Sequence, residues 1–394
     1  MGRTLDTFVS NIRIKSKNPN MTSDTIEVHL GDAIQEMKSD YRIPSAIRRE
    51  TIRVYTDVNE YAMPVPTGAS ATDFESIADM TEWFEGKTST SRFNRTTPAR
   101  FARKISKGYQ DNYITQYIRN TKNMLLVDFD PGTSNILLNS CDSLTDNGTW
   151  AATGDANNLT ADDDTYLEGG GCLNFDLTPS ALAGYITNST MNAVDLSDYE
   201  NNSRIFCYVY IPVATYITSF TMKWGSSAAA YFSKEITTQH NNLAFQAGWN
   251  LLSFDWNSAT ETGSVTTTAI DYLQLTIAFS ASQSADTDFR LDGITCKQGK
   301  DMYFIYNSKS WVESSAGVRQ ETFEEATDVF VGTETEATAL ETKALQLIWE
   351  TEIIDDMKAD KAEKKYTKMI RNLKSQNPEQ EMNKSFTWTG RGVR

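Results

Sequence analysis

The sequence predicts an α+β multidomain protein in which an antiparallel β-sandwich is inserted between a mixed α/β N-terminal part and a long-helix C-terminal part. Three observations predict it. Between Asn135 and Gln298 run eight or nine short β-rich segments separated by turns, the spacing of a sandwich. From Thr333 to Gln376 apolar residues return at helix spacing. Charge also divides the chain: the net −15 is made of +1 over residues 1–130, −12 over 131–300 and −4 over 301–394. The expected domains are therefore 1–134, 135–298 and 299–394, with three domains in series as the alternative topology.

The N-terminal part is mixed. Residues 22–38 read as a helix, with Ile26, Leu30, Ala33, Ile34 and Met37 on one face and Ser23 or Asp24 as its cap. Ile52, Val54, Val58, Tyr61 and Met63 suggest two short strands about a turn at Asp57-Val58-Asn59, closed by Pro64 and Pro66. Residues 71–86 fit a helix or a strand. The run Arg92–Tyr117 mixes basic and aromatic residues, and 123–130 reads as a strand.

In the middle part, segments such as SRIFCYVYI, ITSFTMKWG, GWNLLSFDW and FRLDGITC alternate apolar and polar residues. Beyond it, Asp301–Ser308 reads as a strand that pairs with 123–130, which favours insertion over a serial order. In the C-terminal helical part Leu340, Ala344, Leu347, Ile354, Met357, Ala362, Tyr366, Met369 and Leu373 share a face. Thr333 or Thr335 caps its start and Asn377-Pro378 stops it. A polar tail follows.

Composition bounds the function. With 39% hydrophobic and 11% aromatic residues the chain can build packed cores. No apolar run approaches the roughly 20 residues of a membrane helix, so no membrane partner is expected. The first residues lack the apolar centre of a secretory signal, and Asp6 breaks the myristoylation pattern. An acidic middle would repel nucleic acid. Cys141, Cys172, Cys207 and Cys296 form no closely spaced pair, and His29 and His240 are the two histidines, so buried free thiols are expected rather than a zinc site.

The stretch Ala161–Leu177, ADDDTYLEGGGCLNFDL, places four acids in eight residues before three glycines. A glycosidase needs two positioned carboxyls. Nothing here singles out such a pair, and no nucleophile or phosphate-loop motif occurs, so no catalytic residue is assigned and the chain is not expected to be an enzyme. Asp162, Asp163 and Asp164 are consecutive rather than alternating, which excludes the helix–loop–helix calcium pattern and leaves a solvated acidic turn or a looser calcium site. Leu173, Phe175 and Leu177 alternate as in a strand. Sugar binding needs exposed aromatic platforms. Trp150, Trp224, Trp249 and Trp256 are the candidates. Trp249, inside an alternating strand, reads as core, whereas Trp224, before a Gly-Ser-Ser turn, is placed at a rim.

Asp164, Tyr166, Glu168, Gly169, Leu173 and Phe175, then Tyr210-Ile211-Pro212, Lys223-Trp224-Gly225, Gly248 to Asp255 and Phe289 to Ile294, together resemble the jelly-roll of carbohydrate-binding modules and related galactose-binding-like domains. The resemblance covers roughly residues 136–297. It implies a structural calcium held by Glu168 and Asp292, with Asp164 or Asp142 nearby, and carbohydrate binding at Trp224.

The ends carry a second resemblance. Residues 49–64, Thr97–Phe101, the strand at 123–130, Tyr303–Trp311 and the long C-terminal helix ending at Asn377-Pro378 are similar to structural proteins of tailed-phage virions, those of the neck and tail. This resemblance, one of organisation rather than of any single motif, implies a virion location: a head–tail connector or neck ring of several copies, contacting other virion proteins through Arg92–Tyr117. A tail-associated adhesin binding host surface glycan, and a glycan-cleaving enzyme, are the alternatives.

Overall fold

The computed structural model describes residues 2–63, 74–82, 94–105, 113–119, 122–200, 202–280 and 286–376. The chain forms two compact units. One comprises Met1–Thr51, Pro64–Met80 and Tyr303–Arg394, and the other Ile52–Met63 and Thr81–Met302. Both ends of the chain thus share a unit and the sandwich interrupts it.

The first unit is built on helices Leu5–Ser16, Ser23–Asp40, Glu334–Thr351 and Asp356–Gln376. Phe8, Ile12, Ile26, Leu30, Ile34, Leu340, Ala344, Ile348 and Tyr366 form one buried cluster, so residues more than 300 positions apart complete a single core. The second helix starts one residue earlier than the expected caps, because Thr22 accepts the Thr25 N–H. The first helix was not anticipated, although Leu5, Phe8, Val9 and Ile12 have its spacing and Thr4 caps it. Thr333 and Glu336 close a capping box on the third. Of the one or two long helices expected at the C-terminal end there are two, parted where Ile354 takes a left-handed φ of 52°. That break turns Ile354 and Met357, expected on the apolar face, out to 77% and 84% exposure. Asn377-Pro378 and the tail lie outside the described residues.

The expected strand pairing is corrected. Lys300–Ser308 lies between Ile47–Val54 and Phe74–Glu82. Lys122–Asp128 pairs instead with Tyr113–Arg119 and Glu60–Ala62. The two strands about Asp57 therefore belong to different sheets and are not a hairpin. Phe74, stacked on Phe304 at 6.1 Å and tilted against Tyr306 at 5.7 Å, explains why the ambiguous 71–86 segment is a strand there.

The second unit holds the sandwich. Among the described residues one six-stranded sheet runs Gly248–Asp255, Ser203–Ile211, Asp286–Gln298, Cys172–Leu177 and Ala156–Asp162, with Asn135–Asn139 also on Asp286–Gln298. The other six-stranded sheet runs Thr260–Thr262, Ala230–Ile236, Ile217–Ser227, Tyr272–Phe279, Ala183–Asn188 and Trp150–Gly154. Every recorded pairing within these two sheets is antiparallel. Alternate residues face inward: Ile205, Cys207, Val209 and Ile211 from one sheet meet Phe220, Met222, Leu275 and Ile277 of the other in one buried cluster.

This unit extends past the boundaries expected at 134/135 and 298/299. Glu60–Ala62, Lys122–Asp128, Tyr113–Arg119 and Asn94–Arg95 form a four-stranded sheet within it. Hydrogen bonds tie these segments to the sandwich: Lys122 Nζ to the Asn242 carbonyl at 2.8 Å, Asn241 Nδ2 to Glu60 at 2.7 Å, and Lys297 Nζ to the Thr56 carbonyl at 3.0 Å. Of the run Arg92–Tyr117, residues 92–93 and 106–112 lie outside the described residues. Among the described residues no helix is long and apolar enough to cross a membrane.

Candidate functional site

The strand Ser203–Ile211 sends Arg204, Phe206, Tyr208 and Tyr210 away from the core, onto the outer face of its sheet. One end of that face is covered. Phe206 packs edge-on against Tyr55 at 5.0 Å and tilted against His240 at 5.2 Å, and the Tyr61 ring lies 5.3 Å from His240. The other end is open, and there Tyr210 and Trp249 are half-buried.

At the open end a row of side chains runs straight across the strands. Trp249 pairs with Tyr210, Tyr210 with Arg290, Arg290 with Asn174 and Asn174 with Thr160. The Trp249 and Tyr210 rings meet edge-to-face at 5.6 Å. The Arg290 guanidinium lies 4.9 Å over the Tyr210 ring and donates from Nε to Asp162 Oδ2 at 2.8 Å. Arg290 holds the Asp162 carboxyl below its ordinary range, helped by the Asp164 N–H. The strip therefore offers two ring surfaces, amide and hydroxyl groups and a fixed ion pair. Trp249 was expected in the core. It shares strand parity with Leu251, Ser253 and Asp255, whereas Leu252 and Phe254 fill the core, and the polar members of that set were the signal for an outward face.

Trp224 is a correction. It is fully buried, 6.1 Å from Phe232 and 5.4 Å from Trp256, and presents no face to a sugar. The turn after it is real, but Trp224 shares strand parity with Phe220 and Met222, which fill the core.

The acidic stretch resolves into two arrangements. In the first, Asp162 Oδ1 accepts the Asp164 and Thr165 N–H groups at 2.9 and 3.2 Å, an aspartate-stabilised turn. The carboxylates of Asp162, Asp163 and Asp164 approach within 4.8 Å of one another, with Asp163 and Asp164 exposed. In the second, Asp292 is fully buried and its Oδ2 accepts from Leu167 and Glu168 N–H at 2.7 and 3.0 Å. Its Oδ1 is buried with no hydrogen-bond partner among the described residues. Burial raises the Asp292 carboxyl above its ordinary range; the two N–H groups oppose this, and Glu168 and Asp142 add to it.

Glycines bring these acids close. Asp142 Oδ1 accepts from Gly170 and Gly171 N–H at 3.0 and 3.2 Å, and a Cβ on Gly169 would fall 2.3 Å from it. A Cβ on Gly293 would fall 2.8 Å from Glu168 Oε2. A buried carboxylate oxygen without a donor, beside two further carboxylates, is a hard-oxygen set that suits calcium. The oxygens of Glu168, Asp292 and Asp142 do not all come within 4.8 Å of one another as those of Asp162, Asp163 and Asp164 do, so the three are not closed around an ion; Asp164 stands with the Asp162 turn.

All four cysteines are free and buried. Burial pushes the Cys172 and Cys296 thiols up to about 12, so neither is a thiolate near neutral pH.

No protein-family model and no curated protein sequence matches this chain. Among solved structures, a family 30 carbohydrate-binding module is similar at 10% identity, with 42% of this chain and 88% of that chain covered and a TM-score of 0.33. The family 30 module of a cellulosomal cellulase of Clostridium thermocellum is similar at 11% identity, with 41% and 96% covered and a TM-score of 0.30. An exo-beta-agarase is similar at 13% identity and a TM-score of 0.30, with 42% of this chain but 25% of that chain covered. At that depth these likenesses assign this chain neither a ligand nor an activity.

Proposed function

We propose that the sandwich is a glycan-binding module whose contact surface is the strip Trp249, Tyr210, Arg290, Asn174 and Asp162. The aromatic pair in register with an ion-paired arginine carries this reading. Sugar rings present C–H faces to aromatic rings and hydroxyls to fixed polar groups, and the strip aligns both kinds of partner in one row. Calcium taken up by Glu168, Asp292 and Asp142, whose oxygens would have to close around it, would fix residues 165–171, which follow the Asp162 turn. In that role it supplies charge neutralisation and rigidity and takes no part in a reaction.

The wider setting we propose is a tailed-phage virion, in the head–tail connector or neck. The support is the resemblance of the terminal segments, together with a helical core that both chain ends share and that a sandwich interrupts. Copies in a ring would multiply weak glycan contacts into avidity. A glycan array probed with the full chain tests the module: binding that Trp249→Ala abolishes supports it, and an empty array removes it. Antibody labelling of particles by electron microscopy tests the setting. Label at the neck supports the connector, label at the tail tip makes the chain an adhesin, and unlabelled particles end the virion reading.

A further inference from the structure

A concave feature lies at the covered end of the same sheet face. There an open pocket of about 230 Å³ is lined by Arg204, Lys234, His240, Ser253, Asp255 and Ser258, among others. Arg204 and Tyr210 are six residues apart on one strand, so this pocket lies about 20 Å from the aromatic strip. It opens where the edge strand Gly248–Asp255 of one sheet comes beside Ala230–Ile236 of the other, and Arg204 and Asp255 are direct cross-strand partners.

Its hydrogen-bonding groups are poorly engaged. Arg204 reaches Ser253 Oγ at 3.4 Å and Asp255 Oδ2 at 3.5 Å, both long for a charged donor, and its buried Nε has no partner among the described residues. Lys234 Nζ reaches the Ser258 carbonyl at 3.3 Å. His240 Nδ1 shares a 2.8 Å hydrogen bond with Ser253 Oγ, while its buried Nε2 has no partner among the described residues. The imidazole is held neutral, its pKa pulled down to about 3 by burial and then by Arg204 and Lys297. The acceptors within the pocket hold Arg204 and Lys234 only at 3.3–3.5 Å, so both cations keep N–H groups that an anionic ligand would complete.

We infer that this pocket binds a single carboxylate-bearing sugar residue, a hexuronate, at a site separate from the aromatic strip. Two cations against one carboxylate leave the lining with one net positive charge, which suits a monoanion. Arg204 and Lys234 would take the ligand carboxylate, with the guanidinium able to bind both oxygens. Asp255 accepts a sugar hydroxyl and disfavours a doubly charged phosphate. Ser253 and neutral His240 suit a second hydroxyl. The volume lies below the roughly 300 Å³ at which drug-sized sites begin, which limits the occupant to about one ring.

The test is saturation-transfer NMR on the full chain with sodium glucuronate as probe and glucose and inorganic phosphate as comparators. Glucuronate is expected to bind, glucose to bind at least about tenfold more weakly, and phosphate not to compete. Arg204→Gln and the half-exposed Lys234→Gln are each expected to weaken glucuronate about tenfold, with the melting transition of Lys234→Gln unchanged. Trp249→Ala is expected to leave glucuronate binding as it is, which separates this site from the strip. Absence of glucuronate binding, equal binding of glucose, displacement by phosphate, or indifference to both substitutions would each overturn the assignment.

Discussion

Trp249 and Tyr210 face each other across adjacent strands with ring centroids 5.6 Å apart at an interplanar angle of 74°. Neither ring belongs to the sandwich core, which is filled from the opposite strand parity by Leu252, Phe254, Val209 and Ile211. Losing Trp249 should therefore cost binding and not folding. Trp249→Ala is expected to weaken glycan binding by about 2 kcal/mol, roughly thirtyfold, by analogy with the aromatic centres of other interfaces. Affinity by calorimetry, with a melting curve beside it, checks this. A large fall in melting temperature with unchanged affinity would reassign Trp249 to packing.

The lone Oδ1 of Asp292 gives a test of calcium whose sign reverses. A carboxyl with a raised folded pKa destabilises once ionised. Its penalty is fully present above the raised value and absent below the ordinary aspartate value of about 3.9. Without calcium at neutral pH, Asp292→Asn should therefore raise the melting temperature of the sandwich. With calcium at about one hundred times its Kd, the native protein should gain about 2.7 kcal/mol that the variant lacks. Glu168→Ala should blunt the same response. A melting temperature indifferent to both calcium and chelator would dismiss the site.

Much of this architecture was legible in the sequence, and the failures share a cause. Strand alternation marked Leu173, Phe175 and Leu177 as core, and helix spacing marked Leu340, Ala344 and Tyr366, because those patterns are local. Which strand pairs with which is not local. The expected partnership of 301–308 with 123–130 failed because both strands pair with other neighbours, Ile47–Val54 and Phe74–Glu82 for the one and Tyr113–Arg119 and Glu60–Ala62 for the other. Trp224 and Trp249 were exchanged for a related reason: tryptophan suits either face of a strand, and only the parity of its neighbours separates the two. Glu168 and Asp292 lie together through hydrogen bonds spanning more than 120 residues, which family resemblance suggested and spacing alone did not. The pocket at Arg204 left no linear signal, since its lining comes from separate strands and a turn.

Trp224 offers a test of its corrected position. With the ring fully buried between Phe232 and Trp256, Trp224→Ala should leave a large cavity and destabilise the sandwich by about 3–5 kcal/mol. Trp224→Phe should cost less, since its indole Nε1 has no hydrogen-bond partner to lose among the described residues. Denaturant unfolding followed by tryptophan fluorescence measures both. Weakened glycan binding by a stably folded Trp224→Ala variant would return the residue to the ligand surface.

Asp162 links the strip to pH. Its folded pKa is depressed, chiefly by the hydrogen bond from Arg290 and then by the Asp164 N–H. The sign is that of a favoured carboxylate: the stabilisation is whole above the ordinary value of about 3.9 and is lost as pH falls through the depressed folded value. Asp155 behaves likewise, its burial outweighed by the Ser180 hydroxyl and nearby N–H groups, so acid lability will not vanish in one variant. The informative quantity is the difference between native protein and Asp162→Asn, measured as melting temperature against pH. That difference should be constant near neutrality and shrink on acidification below about pH 5. Glycan binding should weaken only at still lower pH, as the folded Asp162 itself protonates at its depressed value and no longer holds Arg290 over Tyr210. A pH-independent difference would mean that the 2.8 Å contact contributes geometry without charge.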